Sequence, residues 1–280
     1  MKSSMTPALN ARRGGVVSGR VVSGENQLTD PGPLTTHHSP LTTHHSPPLE
    51  LSVVMPVYNE EQALPEVLDE ALRALTGAPF SYEIILVDDA STDGSLGLLK
   101  SLQRDHPDVD IRILRHRWNR GIAAACATLF AAARGKYVFL NGSDAQCKTA
   151  ECLRMMELRD CNEMVIGRRK AKNYTLWRAL ISRAFNLLPR LLFGVSTYDA
   201  GSIKLVRRDL LDIPLTSRGP FREAERIIRA RRRGYRIGVV EVENRPRRGG
   251  QASGARWSLV GQAILDLLRS WWRIMVCRDQ

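Results

Sequence analysis

The chain has 280 residues, 43% of them hydrophobic, and a net charge of +12. This length allows one or two domains with a substantial core. The sequence contains no run of about 18 uncharged apolar residues and no compact apolar stretch near the N-terminus, so neither a bilayer-spanning segment nor a secretory leader is expected. Five cysteines at irregular spacing argue against a disulfide framework or a zinc site and favour a reducing cytosolic setting.

The charge is unevenly distributed along the chain. Residues 51–166 hold 12 basic and 17 acidic side chains, whereas residues 167–280 hold 25 basic and 9 acidic ones. This asymmetry predicts that the second half meets an anionic partner, which composition alone leaves open as a phosphorylated lipid, a membrane surface or a nucleic acid.

The first 48 residues consist largely of polar, Pro- and Gly-rich repeats. The sequence VVSG occurs at 16–19 and again at 21–24, and PLTTHHS occurs at 33–39 and again at 40–46. Such low-complexity composition predicts a tail outside the fold. The paired histidines of the second repeat are a possible metal site, but slipped duplication explains them more simply.

From residue 51 onward, strand-like runs alternate with helical ones. The predicted strands cover 51–55, 83–88, 111–114, 136–140 and 163–166, and the predicted helices cover 61–76, 93–104, 121–134 and 148–159. Strands separated by helices of this length predict βαβ units and a parallel sheet.

Two later segments are amphipathic. On a helical wheel, 176–192 divides into an apolar and a basic half. Near the C-terminus, an apolar face of Val260, Ile264, Leu267, Leu268, Trp271 and Met275 lies opposite Ser258, Gln262, Asp266, Arg269 and Arg273. Apolar faces edged by arginine and tryptophan are typical of helices in a membrane interface, although packing on the sheet also produces amphipathic helices.

Acidic and amide side chains follow three of the predicted strands. Asp88 and Asp89 end the strand 83–88, Asn59 follows the first strand, and Asp144 follows the strand 136–140. Because ligands bind at the carboxyl ends of strands in open α/β sheets, these residues predict a binding crevice and suggest an enzyme.

Four motifs in chain order carry a family resemblance: PVYNE at 56–60, DDASTD at 88–93, NRG at 119–121 and SDAQ at 143–146. Together they resemble the family 2 glycosyltransferases of GT-A fold, and most of all the polyprenyl-phosphate (dolichyl- or undecaprenyl-phosphate) hexosyltransferases. The resemblance covers about residues 51–257.

The resemblance implies a fold and a domain organisation. The expected fold is α/β, a Rossmann-like, mostly parallel sheet with helices on both faces, followed by C-terminal amphipathic helices. The expected division is a tail at 1–48, a GT-A domain at 49–245, and a basic loop with an amphipathic helix at 246–280.

The resemblance also implies roles for individual residues. The nucleotide-sugar would contact Pro56, Tyr58, Asn59, Glu60, Asp88, Asp89, Asn119 and Gly121, since carboxylates accept hydrogen bonds from a base and from ribose hydroxyls. The family's Asp-x-Asp motif binds Mg²⁺ or Mn²⁺ through the donor diphosphate. Here Gly142 occupies its first position, so Asp144 alone is expected as the catalytic metal ligand, with basic residues as an alternative replacement.

Further along, the resemblance implies acceptor-site residues. Glu223 and Glu225 would act as a base or position the acceptor, and a solvated acidic start to an arginine-rich helix is the equally favoured alternative. Phosphate groups would be bound by Lys204, Arg245, Arg247 and Arg248, because arginine binds phosphate oxygens bidentately. Asp199 is a weaker acceptor-site candidate.

The implied function is transfer of a hexose from UDP- or GDP-sugar to a polyprenyl phosphate, with inversion, by an enzyme peripheral on the cytoplasmic face of the membrane. A homo-oligomer is one option. The alternative is a degenerate GT-A domain that binds nucleotide-sugar or lipid and regulates a partner, and Gly142 motivates it. Nucleic-acid binding would also use the basic second half, but no recognition helix or stacking module supports it.

Overall fold

The structure, a computed structural model, describes residues 48–170, 176–246 and 257–277; the side chains of 176–181 and 257–259 lie outside that description. Residues 45–280 form one compact unit. The predictions for the repeats within 1–47, and for Arg247 and Arg248, fall outside the described residues.

Seven strands form a single sheet in the order β3-β2-β1-β4-β6-β5-β7. They are β1 (Leu51–Val57), β2 (Tyr82–Asp88), β3 (Ile111–Arg115), β4 (Tyr137–Leu140), β5 (Met164–Arg169), β6 (Lys204–Arg207) and β7 (Ile237–Val242). The pairs β1–β2, β1–β4, β2–β3 and β5–β7 are parallel, whereas β6 runs antiparallel to both β4 and β5.

The helices are α1 (Leu64–Leu75), α2 (Ser95–Asp105), α3 (Ile122–Ala132), α4 (Glu151–Glu157), α5 (Leu176–Phe193), α6 (Arg222–Arg232) and α7 (Trp257–Trp271). A short 3₁₀ helix, Arg208–Asp212, follows β6, and a π-helical turn, Trp272–Val276, extends α7.

Both faces of the central strands are covered, which explains the consecutive hydrophobic residues 53–55 of β1 and 84–87 of β2. Alternate residues of β1 and β2 point to opposite sides. Val53 and Ile84 belong to one core cluster with α1, and Val54 and Ile85 belong to another with α3. The alanine-rich sequence of α3 suits this position, since small side chains allow a helix to approach a sheet closely.

A third core cluster lies beyond β4. It joins β5 and β6 to α5, α6 and α7, through residues such as Ile166, Phe193, Ile227 and Leu267. The basic second half of the chain therefore forms part of the same sheet and does not make a separate domain.

The predicted fold class is confirmed: the sheet is mostly parallel and has helices on both faces. All five predicted strands and all four predicted helices of 51–166 are present. The strands β6 and β7 were not predicted, because the chain around them lacks the regular alternation of strand-like and helical runs seen in the first half.

The predicted apolar face of the C-terminal helix divides between the core, which contains Leu267, and the surface. In α7 the buried side chains include Asp266 and Ser270, while Ile264 and Leu268 of the predicted apolar face are exposed. The reason is tertiary: Asp266 accepts a hydrogen bond from the backbone N–H of Gly219, which holds this one polar side chain in the interior.

Candidate active site

Three loops meet at the carboxyl ends of β1, β2 and β4, and each contains a non-glycine residue in the left-handed region. These residues are Asn59 (φ 52°), Ala90 (φ 61°) and Ala145 (φ 59°). Such conformations cost energy and persist only when the surrounding contacts enforce them, which is typical of functional sites. The sheet edge predicted to bind a ligand is thus the edge where the backbone is strained.

The loops after β1 and β2 are joined by hydrogen bonds. Asn59 Oδ1 accepts from the backbone N–H of Thr92 at 2.8 Å, and the Asn59 N–H donates to Ser91 Oγ at 3.1 Å. Asp88 Oδ1 accepts from the Ser91 N–H at 3.0 Å, and its Oδ2 lies 3.3 Å from Arg115 Nε. The structure therefore brings Asn59 and Asp88 together as the sequence predicted.

Asp89 builds the turn that leads into α3. Its Oδ1 accepts from the Arg120 N–H at 2.9 Å and lies 2.6 Å from His116 Nδ1, and its Oδ2 accepts from the Gly121 N–H at 2.7 Å. Asn119 Oδ1 accepts from the same Gly121 N–H at 3.1 Å. Both Asp89 oxygens are engaged by protein groups, so its observed role is to position the loop 116–121.

The other residues predicted to contact the nucleotide lie at the same edge. Tyr58 is exposed beside Asn59. The Pro56 carbonyl accepts a hydrogen bond from Ser143 Oγ at 2.7 Å, which ties the end of β1 to the loop after β4. Glu60 is buried, and its backbone N–H donates to Ser95 Oγ at 3.0 Å.

A cavity of about 330 Å³ lies next to these loops. It is bounded by the loop after β4, the start of α3, the segment leading into β6 and the start of α6. Among the predicted site residues, those lining it are Pro56, Asp144, Lys204 and Glu223. Two further basic residues, Arg169 and Arg222, also line it, so its walls combine acidic and basic groups with apolar surface.

Glu223 is held in the cavity wall by two cations. Its Oε2 accepts from Lys204 Nζ at 3.1 Å and lies 3.5 Å from Arg226 Nε. Burial opposes ionisation of Glu223, but the charges of Lys204 and Arg226 outweigh it and lower the carboxyl pKa. Glu223 Oε1 is buried and has no hydrogen-bond partner among the described residues. This oxygen belongs to a lining residue, so a ligand in the cavity can satisfy it.

Glu225 lies away from the cavity and is fully buried. It accepts hydrogen bonds from Thr216 and from the Ser217 N–H, and it pairs with Arg229 Nε at 2.8 Å. Burial opposes ionisation, but these hydrogen bonds lower the pKa of Glu225 to about 2. We therefore withdraw Glu225 from the catalytic set, because its carboxylate fixes the segment before α6.

Two of the remaining predicted residues, Arg245 and Asp199, form ion pairs away from the loops that follow β1 and β2. Arg245 Nη1 lies 3.5 Å from Glu66 and 3.6 Å from Glu70, both on α1, and Arg245 does not line the cavity. Asp199 forms a bidentate pair with Arg169 at 2.8 and 2.9 Å. The structure therefore associates Asp199 with the cavity wall and Arg245 with α1.

Two cysteines in the cavity wall are unsuited to nucleophilic chemistry. Burial raises the pKa of Cys126 to about 12 and that of Cys147 to about 11. Both thiols therefore stay protonated near neutral pH, whereas the reactive form of cysteine is the thiolate.

The pattern of the family described as Glycosyl transferase family 2 matches residues 52–213, more than half of the chain. The chain belongs to this family. The match spans β1 to the 3₁₀ helix after β6, and it includes all three strained loops and the Asp144 side of the cavity.

Curated relatives of this family 2 chain include sugar transferases named for polyprenyl phosphates. An undecaprenyl-phosphate 4-deoxy-4-formamido-L-arabinose transferase of Pseudomonas aeruginosa is 33% identical over 174 residues, 61% of this chain and 51% of the relative. A dolichyl-phosphate beta-glucosyltransferase of Dictyostelium discoideum is 38% identical over 99 residues, 34% of this chain and 30% of the relative. The chain thus spans about half the length, or less, of these relatives.

Solved structures with the same fold include glucosyl-3-phosphoglycerate synthase from Mycobacterium tuberculosis. Its complex with Mg²⁺ and uridine diphosphate has a TM-score of 0.64 at 18% identity and covers 79% of each chain. Its complex with Mn²⁺, uridine diphosphate and phosphoglyceric acid has a TM-score of 0.64 at 19% identity and covers 80% of this chain and 78% of that one. At this identity the similarity shows the fold alone.

This family 2 chain departs from the Asp-x-Asp pattern at Gly142, and the structure shows what that changes. A Cβ atom at position 142 would lie 3.0 Å from Asp144 Oδ1, so an aspartate there would stand beside the Asp144 carboxylate. Within the described residues, no group of three or more His, Cys, Asp or Glu side chains is arranged to hold a metal ion. Asp144 fits Mg²⁺ or Mn²⁺ only as one ligand of an ion held mainly by phosphate and water.

Sequence reasoning missed Arg169, Arg222 and Ser202 as lining residues of the cavity. Ser202 Oγ, like Glu223 Oε1, is buried without a hydrogen-bond partner among the residues that the structure describes. Arg222 directly precedes Glu223, which was predicted from the sequence, so its position was a usable signal. Arg169 lies at the end of β5, and Ser202 lies in the segment before β6. The antiparallel position of β6 was not predicted.

Proposed function

We propose that this chain transfers a glycosyl group, a hexose in the simplest case, from a nucleotide-sugar to a polyprenyl phosphate with inversion. The observation that carries the proposal is the cavity in which Asp144 lies with Lys204, Arg222 and Glu223, beside the strained loops after β1, β2 and β4. The undecaprenyl- and dolichyl-phosphate transferases among its relatives support this choice of acceptor.

The donor nucleotide would lie along the carboxyl ends of β1 and β2. Asn59 and Asp88 hold these loops together, and Asp89 fixes the turn before α3. Backbone and carboxylate groups in such loops supply hydrogen-bond partners for a base and a ribose. The anomeric carbon would then point into the cavity, towards Asp144 and Glu223.

The chemical step is an in-line displacement at the anomeric carbon. An oxygen of the acceptor phosphate forms a bond to this carbon while the bond to the donor diphosphate breaks, which inverts the configuration. A phosphate is already anionic near neutral pH, so the step needs no strong general base. Lys204 and Arg222 would offset the negative charge of the two phosphate groups in the cavity.

Glu223 would act as a fixed hydrogen-bond acceptor. The cations Lys204 and Arg226 lower its pKa, which makes it a weak base. Its buried Oε1 would accept a hydrogen bond from a hydroxyl or amide of the transferred sugar. We therefore assign Glu223 to orienting the sugar.

A Mg²⁺ or Mn²⁺ ion bound by the donor diphosphate would supply charge neutralisation of the leaving group. Asp144 is the residue of this chain that would hold it. With one carboxylate instead of two, the chain would have a low affinity for the free ion. It would bind the ion mainly as a complex with the nucleotide.

The acceptor implies work at a membrane surface, and we propose a peripheral enzyme on its cytoplasmic face. None of the helices in the described part of the chain combines the length and hydropathy that crossing a bilayer requires.

The test is a donor screen with lipid extraction. Full-length protein is incubated with undecaprenyl phosphate in detergent and with radiolabelled UDP-glucose, UDP-N-acetylglucosamine or GDP-mannose, with Mg²⁺, Mn²⁺ or EDTA. Label in the organic phase that requires both protein and acceptor supports the proposal. Binding of a donor without product under every condition would support a non-catalytic role instead, which Gly142 motivates.

Two variants sharpen the assay. Asp144→Asn should lower the transfer rate by roughly 100- to 1000-fold, since it removes the carboxylate beside the departing diphosphate. Asp108→Asn serves as the matched control, because Asp108 is exposed and precedes β3, at the other edge of the sheet. Equal rates for the two variants would refute the role of Asp144.

A further inference from the structure

Helix α7 buries Ala263 and Leu267 together with two polar residues, and it leaves other large apolar residues exposed. Asp266 and Ser270 are buried, whereas Leu265, Leu268 and Trp272 are 54%, 51% and 57% exposed. Single exposed apolar residues are common on protein surfaces, but a contiguous group of large ones marks an interaction site.

Tertiary contacts fix this orientation. Asp266 Oδ2 accepts a hydrogen bond from the Gly219 N–H at 3.0 Å, and Ser270 Oγ lies 3.2 Å from Ser217 Oγ. Ser217 is in turn held by the buried carboxylate of Glu225 through its backbone N–H at 2.7 Å. Rotating α7 to bury Leu265 and Leu268 would break these contacts and leave buried polar groups unpaired, which costs about 1–3 kcal/mol for each group.

Three arginines surround the exposed leucines. Arg218, Arg269 and Arg273 line one groove with Leu215, Leu265, Leu268 and Trp272. Within residues 48–170, 176–246 and 257–277, none of the three arginines forms a salt bridge. The acidic residue of the groove, Asp266, is buried and accepts a hydrogen bond from the backbone N–H of Gly219. The groove therefore presents positive charge around an apolar centre.

We propose that this groove, which we call the α7 face (Leu215, Arg218, Leu265, Leu268, Arg269, Trp272 and Arg273), docks on the surface of an anionic lipid bilayer. Leucine and tryptophan side chains insert at the boundary between headgroups and acyl chains, while arginines pair with lipid phosphates. Charge complementarity selects this occupant, because another copy of the chain would bring like charges together. The proposal rests on the proposed function only in its preference for a lipid surface over another anionic partner.

The α7 face adjoins the cavity along the chain. Its segment 215–218 leads directly to Gly219, which lines the cavity and whose backbone N–H is bound by Asp266 of α7. The cavity-lining residues Arg222 and Glu223 follow within one helical turn. A bilayer on the α7 face would therefore lie close to the position proposed for the acceptor phosphate.

The experiment measures binding of the full-length protein to vesicles without any polyprenyl phosphate. Co-sedimentation is compared for vesicles of phosphatidylcholine alone and of phosphatidylcholine with phosphatidylglycerol. We expect partition into the anionic vesicles to be stronger by roughly tenfold or more, and to fall as salt is raised.

Two pairs of substitutions separate the contributions. Leu265→Ser with Leu268→Ser should reduce binding to anionic vesicles by roughly tenfold, because it removes the inserted apolar surface. Arg269→Gln with Arg273→Gln should abolish most of the preference for anionic lipid. Leu158→Ser, at the exposed position after α4, and Arg104→Gln, at an exposed position on α2, are the matched controls and should bind as wild type does. Thermal unfolding verifies that each variant is folded, and Trp272→Ser provides an independent test of insertion.

The outcomes distinguish this proposal from the proposed function. Transfer to undecaprenyl phosphate in detergent is measured on the same proteins. Loss of vesicle binding with transfer retained supports docking through the α7 face. Absence of vesicle binding by the wild type, unchanged binding of the leucine variant, or a wild-type dimer that this variant dissociates would overturn it, even if transfer is intact. Vesicle binding without transfer would overturn the proposed function and leave the docking surface standing.

Discussion

At the scale of single residues, two glutamates two positions apart have different surroundings. Glu223 reaches the cavity with one oxygen unsatisfied, whereas both oxygens of Glu225 accept hydrogen bonds from Thr216 and Ser217. Positions i and i+2 on a helix point in different directions, so the two carboxylates were never equivalent candidates. Only the contacts of each side chain show which one lines the cavity.

Glu225→Gln should lower the free energy of unfolding at pH 7 by about 3 kcal/mol, because it breaks a buried, hydrogen-bonded ion pair with Arg229. The folded-state pKa of about 2 lies below the ordinary value of 4.5, so this stability is present above pH 4.5 and is lost as pH falls towards 2. Urea unfolding at several pH values between 7 and 3 tests this. The variant should lose less stability on acidification than wild type does, and Glu157→Gln, at an exposed position of α4, should behave as wild type.

Gly142→Asp should raise the affinity for Mn²⁺ in the presence of UDP by roughly tenfold, since two carboxylates hold a divalent cation better than one. A Cβ atom at this position lies 3.0 Å from Asp144 Oδ1, so the new carboxylate would stand beside the existing one. Calorimetric titration of Mn²⁺ measures the effect without requiring turnover. Gly142→Asn, which has the same size without the charge, is the control, and an equal gain for both would contradict the explanation.

At the scale of elements, the start of α3 depends on the side chain of Asp89, the residue that follows β2. Asp89 accepts the backbone N–H groups of Arg120 and Gly121, and Gly121 adopts φ +81°, a conformation that favours glycine. A helix start leaves backbone N–H groups unpaired, and a carboxylate placed there satisfies them and interacts favourably with the helix dipole. The loop 116–121 is therefore attached to the sheet through Asp89.

Asp89→Asn should lower the free energy of unfolding by about 2 kcal/mol and weaken UDP binding, because the amide replaces an acceptor oxygen by a donor against these N–H groups. Hydrogen exchange should increase first in the loop 116–121, and calorimetry with UDP measures the binding. Asp108→Asn provides the control for loss of one exposed carboxylate. An Asp89→Asn protein with unchanged exchange in this loop would rule out the positioning role.

At the scale of the whole molecule, the sheet combines the parallel strands β3, β2, β1 and β4 with the antiparallel strand β6. Strand β6 lies between β4 and β5 and runs opposite to both, which brings Lys204 to the carboxyl end of β4. The basic second half thereby supplies one side of the cavity and the α7 face as well. In our proposals, the excess of basic residues in the second half of the sequence serves two surfaces that face phosphate groups, namely the cavity and the α7 face.

Deletion of residues 1–47 should change the melting temperature by less than about 2 °C and leave the transfer rate within about twofold, since their repeat-rich composition predicts no contribution to the core. Residues 45–280 already form one compact unit with three core clusters. Differential scanning calorimetry and the lipid-extraction assay test this. A large drop in melting temperature would show that the tail packs on the domain.

The sequence by itself determined the elements of residues 51–166, the edge of the sheet that carries Asn59 and Asp88, and the family. These features are local, since hydrophobic periodicity and motif order along the chain encode them. The tertiary structure decided the antiparallel position of β6, the separation of Glu223 from Glu225, and the exposure of Leu265 and Leu268 on α7. Each of these depends on contacts between residues that are distant in sequence, such as Asp266 with Gly219, which no periodic pattern records.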